Sequence, residues 1–461
     1  MSLLVKKLTS CGAFLGLLFI SVAASAQPGP AIRSEVKEVL VPVVVTDGHG
    51  HHVLNLKLSD FQILEDGKPQ RIVALSSESG PGIAAPDTTF PGVPASKGVP
   101  AAATGPDTPR STYLILVDTL HSSFANFGRV REALGKFFEN EHAADAQYAV
   151  MALGRQLEVV QDSTRDARVA LAAVRTSRFS KLILDSEANN LKIAADQFTA
   201  LMRQYCSFCQ CESAGQIGGK EMGECSGSKV RVEAFLNSFA ERTFPLNQAF
   251  LGHLNEVVSA TATMPTSRTV ILISDGFNRF SGRELYAILL GFGPRDRSFE
   301  FNSRDTQPEL DAILKAATKN NVKFYTIDSR GLYTASSAPG SGFDASSSSS
   351  GINVQIDSRA QPNLAAGVPE AVTSSAMSAA RESTDVLAEL AHQTGGLFFE
   401  NNNDLLKGLR QAAADGREYY VLAYVPDNKA ADGAYRKIVV TVRDTKWRVN
   451  AKAGYWATAN Q

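Results

Sequence analysis

The sequence predicts an α/β protein: a doubly wound, mostly parallel sheet accompanied by an antiparallel β-sandwich unit built from the N- and C-terminal segments. Three observations predict it. A continuous apolar run at residues 113–117 and strand-like, largely apolar segments at 269–273 and 322–327 each lead into a strand-end carboxylate, Asp118, Asp275 or Asp328. A strand covered by helices on both faces has this continuous apolar character. Segments with helical spacing alternate with these runs, which implies parallel strands joined by helices. Purely β patterns fall at the two ends, in residues 35–76 and 419–451.

In the first β segment, Val36, Val39, Val41, Val43 and Val45 alternate with other residues, the period of a half-buried strand. Asp47-Gly48-His49-Gly50 is a turn signal, and a strand then runs into the Asp66-Gly67 turn. Residues 27–77 are therefore expected to form an N-terminal β unit. Residues 78–110, rich in Pro, Ala and Gly, are expected to be a linker. An α/β domain is expected over residues 111–415. Apolar residues at Val130, Leu134, Phe137 and Phe138 mark its first helix. Two insertions interrupt it: residues 178–240, which carry a cysteine cluster, and residues 334–380, whose Ser/Ala/Gly composition predicts disorder. Residues 416–461 form the C-terminal β segment, expected to pair with the first.

The first 26 residues read as a secretory signal peptide. Lys6 and Lys7 precede an apolar run that ends in Ala24-Ser25-Ala26. The run is short for a transmembrane helix, and no second long apolar segment follows. The mature chain is expected to be exported, periplasmic or secreted, without a transmembrane helix. Loss of the two lysines takes the formal net charge from −1 to −3, which argues against nucleic acid as a partner. The four remaining cysteines, Cys206, Cys209, Cys211 and Cys225, are clustered. In an exported chain such a set reads as two disulfides, with three pairings open. A four-thiolate zinc site is the rival, although Cys206-x-x-Cys209-x-Cys211 departs from zinc-knuckle spacing.

Ligands of an open α/β sheet bind beyond the carboxyl ends of its strands. Carboxylates gathered there can hold a hard cation such as Mg²⁺, which prefers oxygen ligands. Asp118-Thr119-Leu120-His121-Ser122 resembles the Asp-x-Ser-x-Ser metal motif of von Willebrand factor A domains, and Ser274-Asp275-Gly276 resembles their later Asp-Gly element. Thr243 is the match to the threonine that completes their metal site. Val41-Pro42-Val43-Val44-Val45, Glu65-Asp66-Gly67-Lys68-Pro69-Gln70, Asp328-Ser329-Arg330-Gly331 and Gly454-Tyr455-Trp456 resemble a narrower group, the von Willebrand factor A-related proteins of acidobacteria. The resemblance implies a Rossmann-like domain that recognises a protein or peptide ligand through Mg²⁺ held by Asp118, Ser122, Thr243 and Asp275. The sequence departs from the motif at Leu120, which has no oxygen to offer a metal. Without the cation, Asp118 and Ser122 would serve as turn and helix-cap residues.

His49, His51 and His52 are expected in a solvated turn rather than at a metal. No nucleophile elbow, phosphate-binding glycine loop or His-Glu-x-x-His helix is found. The expectation is an exported, non-enzymatic binding or adhesion-type protein. Two alternatives stand beside it: a metal-assisted extracytoplasmic hydrolase, and a structural envelope protein with a non-functional metal site.

Overall fold

The computed structural model describes residues 38–78, 109–141, 143, 145–209, 211, 222–264, 267–332 and 370–458. The expected signal peptide, nearly all of the linker and residues 334–369 of the second insertion lie outside these.

The chain enters through β1 (Val39–Thr46), β2 (Phe61–Glu65), β3 (Lys68–Gln70) and β4 (Ile72–Glu78). The α/β portion follows with β5 (Ser111–Asp118), α1 (Phe124–Asn140), β6 (Ala146–Leu153), β7 (Leu157–Thr164), α2 (Ala167–Val174) and α3 (Ser177–Lys181). Two long helices come next, α4 (Ala188–Phe208) and α5 (Met222–Ala260). Then come β8 (Ser267–Ser274), α6 (Arg283–Phe292), α7 (Gln307–Lys319) and β9 (Val322–Asp328). The portion closes with α8 (Glu370–Glu382), α9 (Asp385–Thr394), β10 (Phe398–Phe399) and α10 (Leu405–Asp415). Last are β11 (Tyr419–Tyr424), β12 (Tyr435–Val442), β13 (Arg448–Ala451) and β14 (Gly454–Trp456).

The fold is mixed α/β. A six-stranded sheet runs β10-β9-β8-β5-β6-β7, parallel except for β7, which pairs antiparallel with β6. Its two faces carry separate cores. Tyr113, Ile115 and Val117 of β5 point to one, with α1 and α10; Leu114 and Leu116 point to the other, with α5, α7 and α9. Alternate residues of one strand thus serve opposite faces, and burial of both explains why the run is apolar throughout.

Two four-stranded antiparallel sheets, β13-β1-β11-β4 and β14-β12-β2-β3, mix strands from both chain ends. Val41 pairs with Leu422, and Ile63 with Val440. Val41, Val43, Ile63, Tyr420, Leu422, Tyr424 and Ile438 fill one core between the sheets, which makes them a sandwich. At its centre the buried Glu65 carboxylate accepts hydrogen bonds from Tyr424 and, at 3.0 Å, Tyr455.

Two expectations need correction. Residues 370–380, assigned to a disordered insertion, belong to helix α8. Its Ala-rich composition favours helix. Ala379 and Ala380 are buried, and Glu382 takes a two-pronged ion pair from Arg283 of α6 at 2.6 and 2.8 Å. The cysteine-bearing segment does not end near residue 240; α5 carries straight through it to Ala260, with Pro245 inside the helix. Helices α4, α5 and α6 share an apolar core of their own around Phe198, Met202, Leu236 and Ile288.

Candidate functional site

The parallel register places Asp118, Ser274 and Asp328 at one edge, because Ser274 of β8 pairs with Asp328 of β9 while Ile273 pairs with Val117 of β5. Asp118 is fully buried, and its carboxylate is completely engaged. Oδ1 accepts from the backbone N–H of Leu120 and of His121, both at 2.9 Å. Oδ2 accepts from Ser274 Oγ at 2.5 Å and from His121 Nδ1 at 3.0 Å. Those four donors use the roughly four lone-pair positions of a carboxylate.

His121 is clamped as well. Its Nε2 lies 3.1 Å from Asn247 Oδ1 on α5. Its ring stacks on Phe277 at 4.6 Å and meets the edge of Phe250 at 4.8 Å. With oxygen acceptors at both ring nitrogens, as the Asn247 amide is oriented, the fitting state is the doubly protonated ring. Burial works to lower its pKa, but the charge of Asp118 and the hydrogen bonds of Asp118 and Asn247 outweigh it and raise the value.

Asp275 is the second buried carboxylate. Its Oδ2 accepts from Ser123 N at 2.9 Å and Asn126 Nδ2 at 2.8 Å, and its Oδ1 from the Ser329 hydroxyl. Burial pushes its pKa up against these three hydrogen bonds. Ser123 also caps α1 by accepting from Asn126 N. The next residue, Gly276, has φ +78°, and a Cβ there would lie 2.4 Å from Ser383 O. Glycine lets the turn pass close beneath α8. Asp328 is spent locally, in a two-pronged pair with Arg330 at 2.9 Å. Arg129 of α1 donates to the carbonyls of Ser329 and Arg330 at 3.2 and 2.9 Å, which ties the β9 loop to α1.

The four residues expected to hold Mg²⁺ do not form an oxygen cage. Leu120 is 1% exposed and packs into the core beside Leu116 and Phe250. Ser122 is buried, with its carbonyl accepting from Ser186 Oγ at 2.6 Å. Thr243 donates its hydroxyl to Phe239 O at 3.0 Å within α5, not toward either carboxylate. Asp118 has no lone pair to spare. Among the described residues, no three His, Cys, Asp or Glu side chains gather as metal ligands. A hard cation needing about six oxygens in octahedral array does not fit this donor set. The expectation of Mg²⁺ at Asp118, Ser122, Thr243 and Asp275 therefore lacks its geometry.

The sequence reading singled out Asp118, Ser122 and Asp275 but missed Ser274, Asn126, Asn247 and Ser329, which complete the network. Ser274 and Ser329 flank strand-end aspartates and were visible in principle. Asn126 and Asn247 sit on helices, and nothing in their local sequence marks them.

The cysteines pair as Cys206–Cys211, which ties α4 to the chain just beyond it, and Cys209–Cys225, which staples the end of α4 to the start of α5. This pairing leaves no thiolates for zinc. Among the three histidines, His49 and His51 are exposed in the turn, whose backbone is held by Asp47. His52 departs from the expectation. It leaves the turn to bridge Asp415 at 2.8 Å and Glu418 at 3.0 Å, linking the sandwich to the end of α10. Beside it Lys323 is buried, its Nζ 4.1 Å from the Tyr419 ring centre and without a hydrogen-bond partner.

No protein-family model matches the chain, and no curated protein matches it. Among solved structures it is similar to an aerotolerance-related membrane protein from Bacteroides fragilis NCTC 9343, at 10% identity and a TM-score of 0.25, covering 67% of this chain and 98% of that one. It is also similar to the pilus adhesin SpaC from Lactobacillus rhamnosus GG in its open conformation, at 8% identity and a TM-score of 0.30, covering 75% of this chain and 44% of that one. At TM-scores of this size neither likeness assigns a family or an activity.

Proposed function

We propose that the chain is an extracytoplasmic binding module that engages a protein or peptide ligand over the carboxyl edge of its six-stranded sheet. One observation carries the reading. Three large apolar side chains stand exposed on segments tied to the same buried polar network: Phe124 (66% exposed) at the start of α1, Leu184 (70%) in a 3-10 turn and Leu332 (62%) in the loop after β9. Phe124 follows Ser123, whose N–H bonds Asp275. Leu184 sits just before Ser186, whose hydroxyl bonds the carbonyl of Ser122. Leu332 follows Ser329, the third partner of Asp275, and its own N–H bonds Asn403. Exposed apolar anchors on rigidly held backbone suit a protein interface, where buried apolar contacts dominate and preorganisation lowers the cost of binding. The two disulfides support an oxidising compartment.

The hydrolase alternative finds less support. A general base needs a lone pair within reach of substrate. Asp118 and both nitrogens of His121 are already occupied by protein partners.

Peptides selected by display against the mature protein test the reading. Binding should fall at least about ten-fold, roughly 1.4 kcal/mol, for a Phe124→Ser/Leu332→Ser variant whose melting temperature is unchanged. Selected peptides that bind this variant as tightly as the parent would place recognition elsewhere.

A further inference from the structure

We propose that the carboxyl edge of the sheet is closed to divalent cations, and that the His121 side chain occupies the face of Asp118 on which a cation would dock. The claim deepens the reading of this edge as a binding surface and specifies how the surface is organised. A carboxylate that ligates a metal must turn at least one lone pair toward it. Both oxygens of Asp118 already receive two protein donors each, from Leu120 N and His121 N on Oδ1 and from Ser274 Oγ and His121 Nδ1 on Oδ2. Three of those four donors are held by elements that leave them little freedom. Leu120 is anchored in the core by its side chain, and its carbonyl accepts from Glu187 N at 2.7 Å. The backbone at 120–121 is thereby fixed, and Ser274 is the last residue of the central strand β8.

The fourth donor, the His121 ring, is the movable one. Phe277 and Phe250 flank it and Asn247 holds its far nitrogen. The ring therefore acts as a plug, retained by packing on two aromatic neighbours and by hydrogen bonds at both ends. Asp275 does not open a way around it: Ser123, Asn126 and Ser329 take three of its roughly four lone-pair positions, and the one left on Oδ1 cannot hold a hard cation by itself. The leucine at 120 and the histidine at 121 then belong together. The first removes the hydroxyl a cation would need, and the second supplies a donor to Asp118 Oδ2, which would otherwise keep only Ser274.

Mn²⁺ titration of the mature protein, followed by the loss of the free aqueous Mn²⁺ signal in electron paramagnetic resonance, tests the proposal without any peptide ligand. The parent protein should leave the aqueous signal undiminished. A Leu120→Ser/His121→Ala variant, which returns a hydroxyl and vacates the place of the ring, should bind Mn²⁺, and Asp118→Asn placed in the same background should abolish that binding. Mn²⁺ uptake by the parent that Asp118→Asn removes would overturn the proposal, and so would a folded Leu120→Ser/His121→Ala variant that takes up none. If that variant fails to fold, the parent measurement still decides whether the edge is closed. Because no peptide enters these titrations, their outcome is separate from whether peptides bind at Phe124 and Leu332.

Discussion

Replacing Lys323 with methionine should stabilise the protein at neutral pH. Lys323 is 4% exposed on β9, and its ammonium has no hydrogen-bond partner. Burial holds its pKa down to about 8, with the nearby Asp415 charge pulling the other way. The ordinary lysine value is about 10.4, so a shift of roughly two and a half units costs about 3 kcal/mol while the group is charged. The folded-state value is depressed, so protons bind the unfolded chain more tightly. The penalty is therefore complete below pH 8, fades as pH rises from 8 toward about 10.4, and is gone above that. The Tyr419 ring 4.1 Å away returns part of it, up to about 2 kcal/mol in a desolvated site. Methionine keeps the length and apolar stem but removes the charge. The expected gain is about 1–3 kcal/mol at pH 7, shrinking toward zero near pH 10, read as a rise of a few degrees in melting temperature. Asp415 keeps His52 and Gln411 on its Oδ1, but its buried Oδ2 has no hydrogen-bond partner, so loss of the nearby Lys323 charge offsets part of the gain. Thermal unfolding of parent and variant at pH 7 and pH 10 checks this. A Met variant less stable than the parent at pH 7 would refute the reasoning, because it would mean the ammonium is productively paired.

Three further outcomes are expected. Gly276→Ala should cost at least about 2 kcal/mol, since it combines an unfavourable φ with a Cβ 2.4 Å from the Ser383 carbonyl; a melting temperature equal to the parent's would contradict the close approach. Cys209→Ser with Cys225→Ser opens a loop with a sequence separation of 16 residues, and chain entropy sets the expected loss near 3 kcal/mol, measurable by thermal unfolding under non-reducing conditions. His52→Ala should destabilise the link between sandwich and sheet by about 2–4 kcal/mol, because the buried Asp415 keeps only Gln411 as a hydrogen-bond partner. Hydrogen exchange in β11 should rise in that variant, and unchanged protection there would show that His52 is not a tie.

Strands β5 and β8 are legible in the sequence because burial on both faces leaves a near-continuous apolar run of strand length; β9 is legible despite Lys323 and Thr326, which are buried with the rest of the strand. The interleaved sandwich is legible in part: alternating valines announce β1, but only long-range pairing such as Val41 with Leu422 decides its neighbour. Helix α8 escapes because Ser and Ala composition resembles that of a linker. Its contacts come from far along the chain: Ala379 and Ala380 are buried, and Arg283, nearly a hundred residues away, pairs with Glu382. The cysteine pairing is settled by where α4 ends and α5 begins, which spacing alone does not encode. At the site, Asp118 and Asp275 stand out because they end apolar strands. Their hydrogen-bond partners Asn126 and Asn247 do not, since each arrives on a helix whose angle is set by packing elsewhere. Leu120 was the informative residue. It signalled that a metal ligand was missing, and the structure places its side chain in the core rather than at the edge.

The proposed binding edge is tested most directly by titrating a display-selected peptide into the protein lacking residues 1–26 twice, once in excess Mg²⁺ and once in EDTA. Equal affinities in both buffers, with a common loss in the Phe124→Ser/Leu332→Ser variant, are expected of an edge organised by protein hydrogen bonds alone. Binding that disappears in EDTA and returns with Mg²⁺ would contradict it.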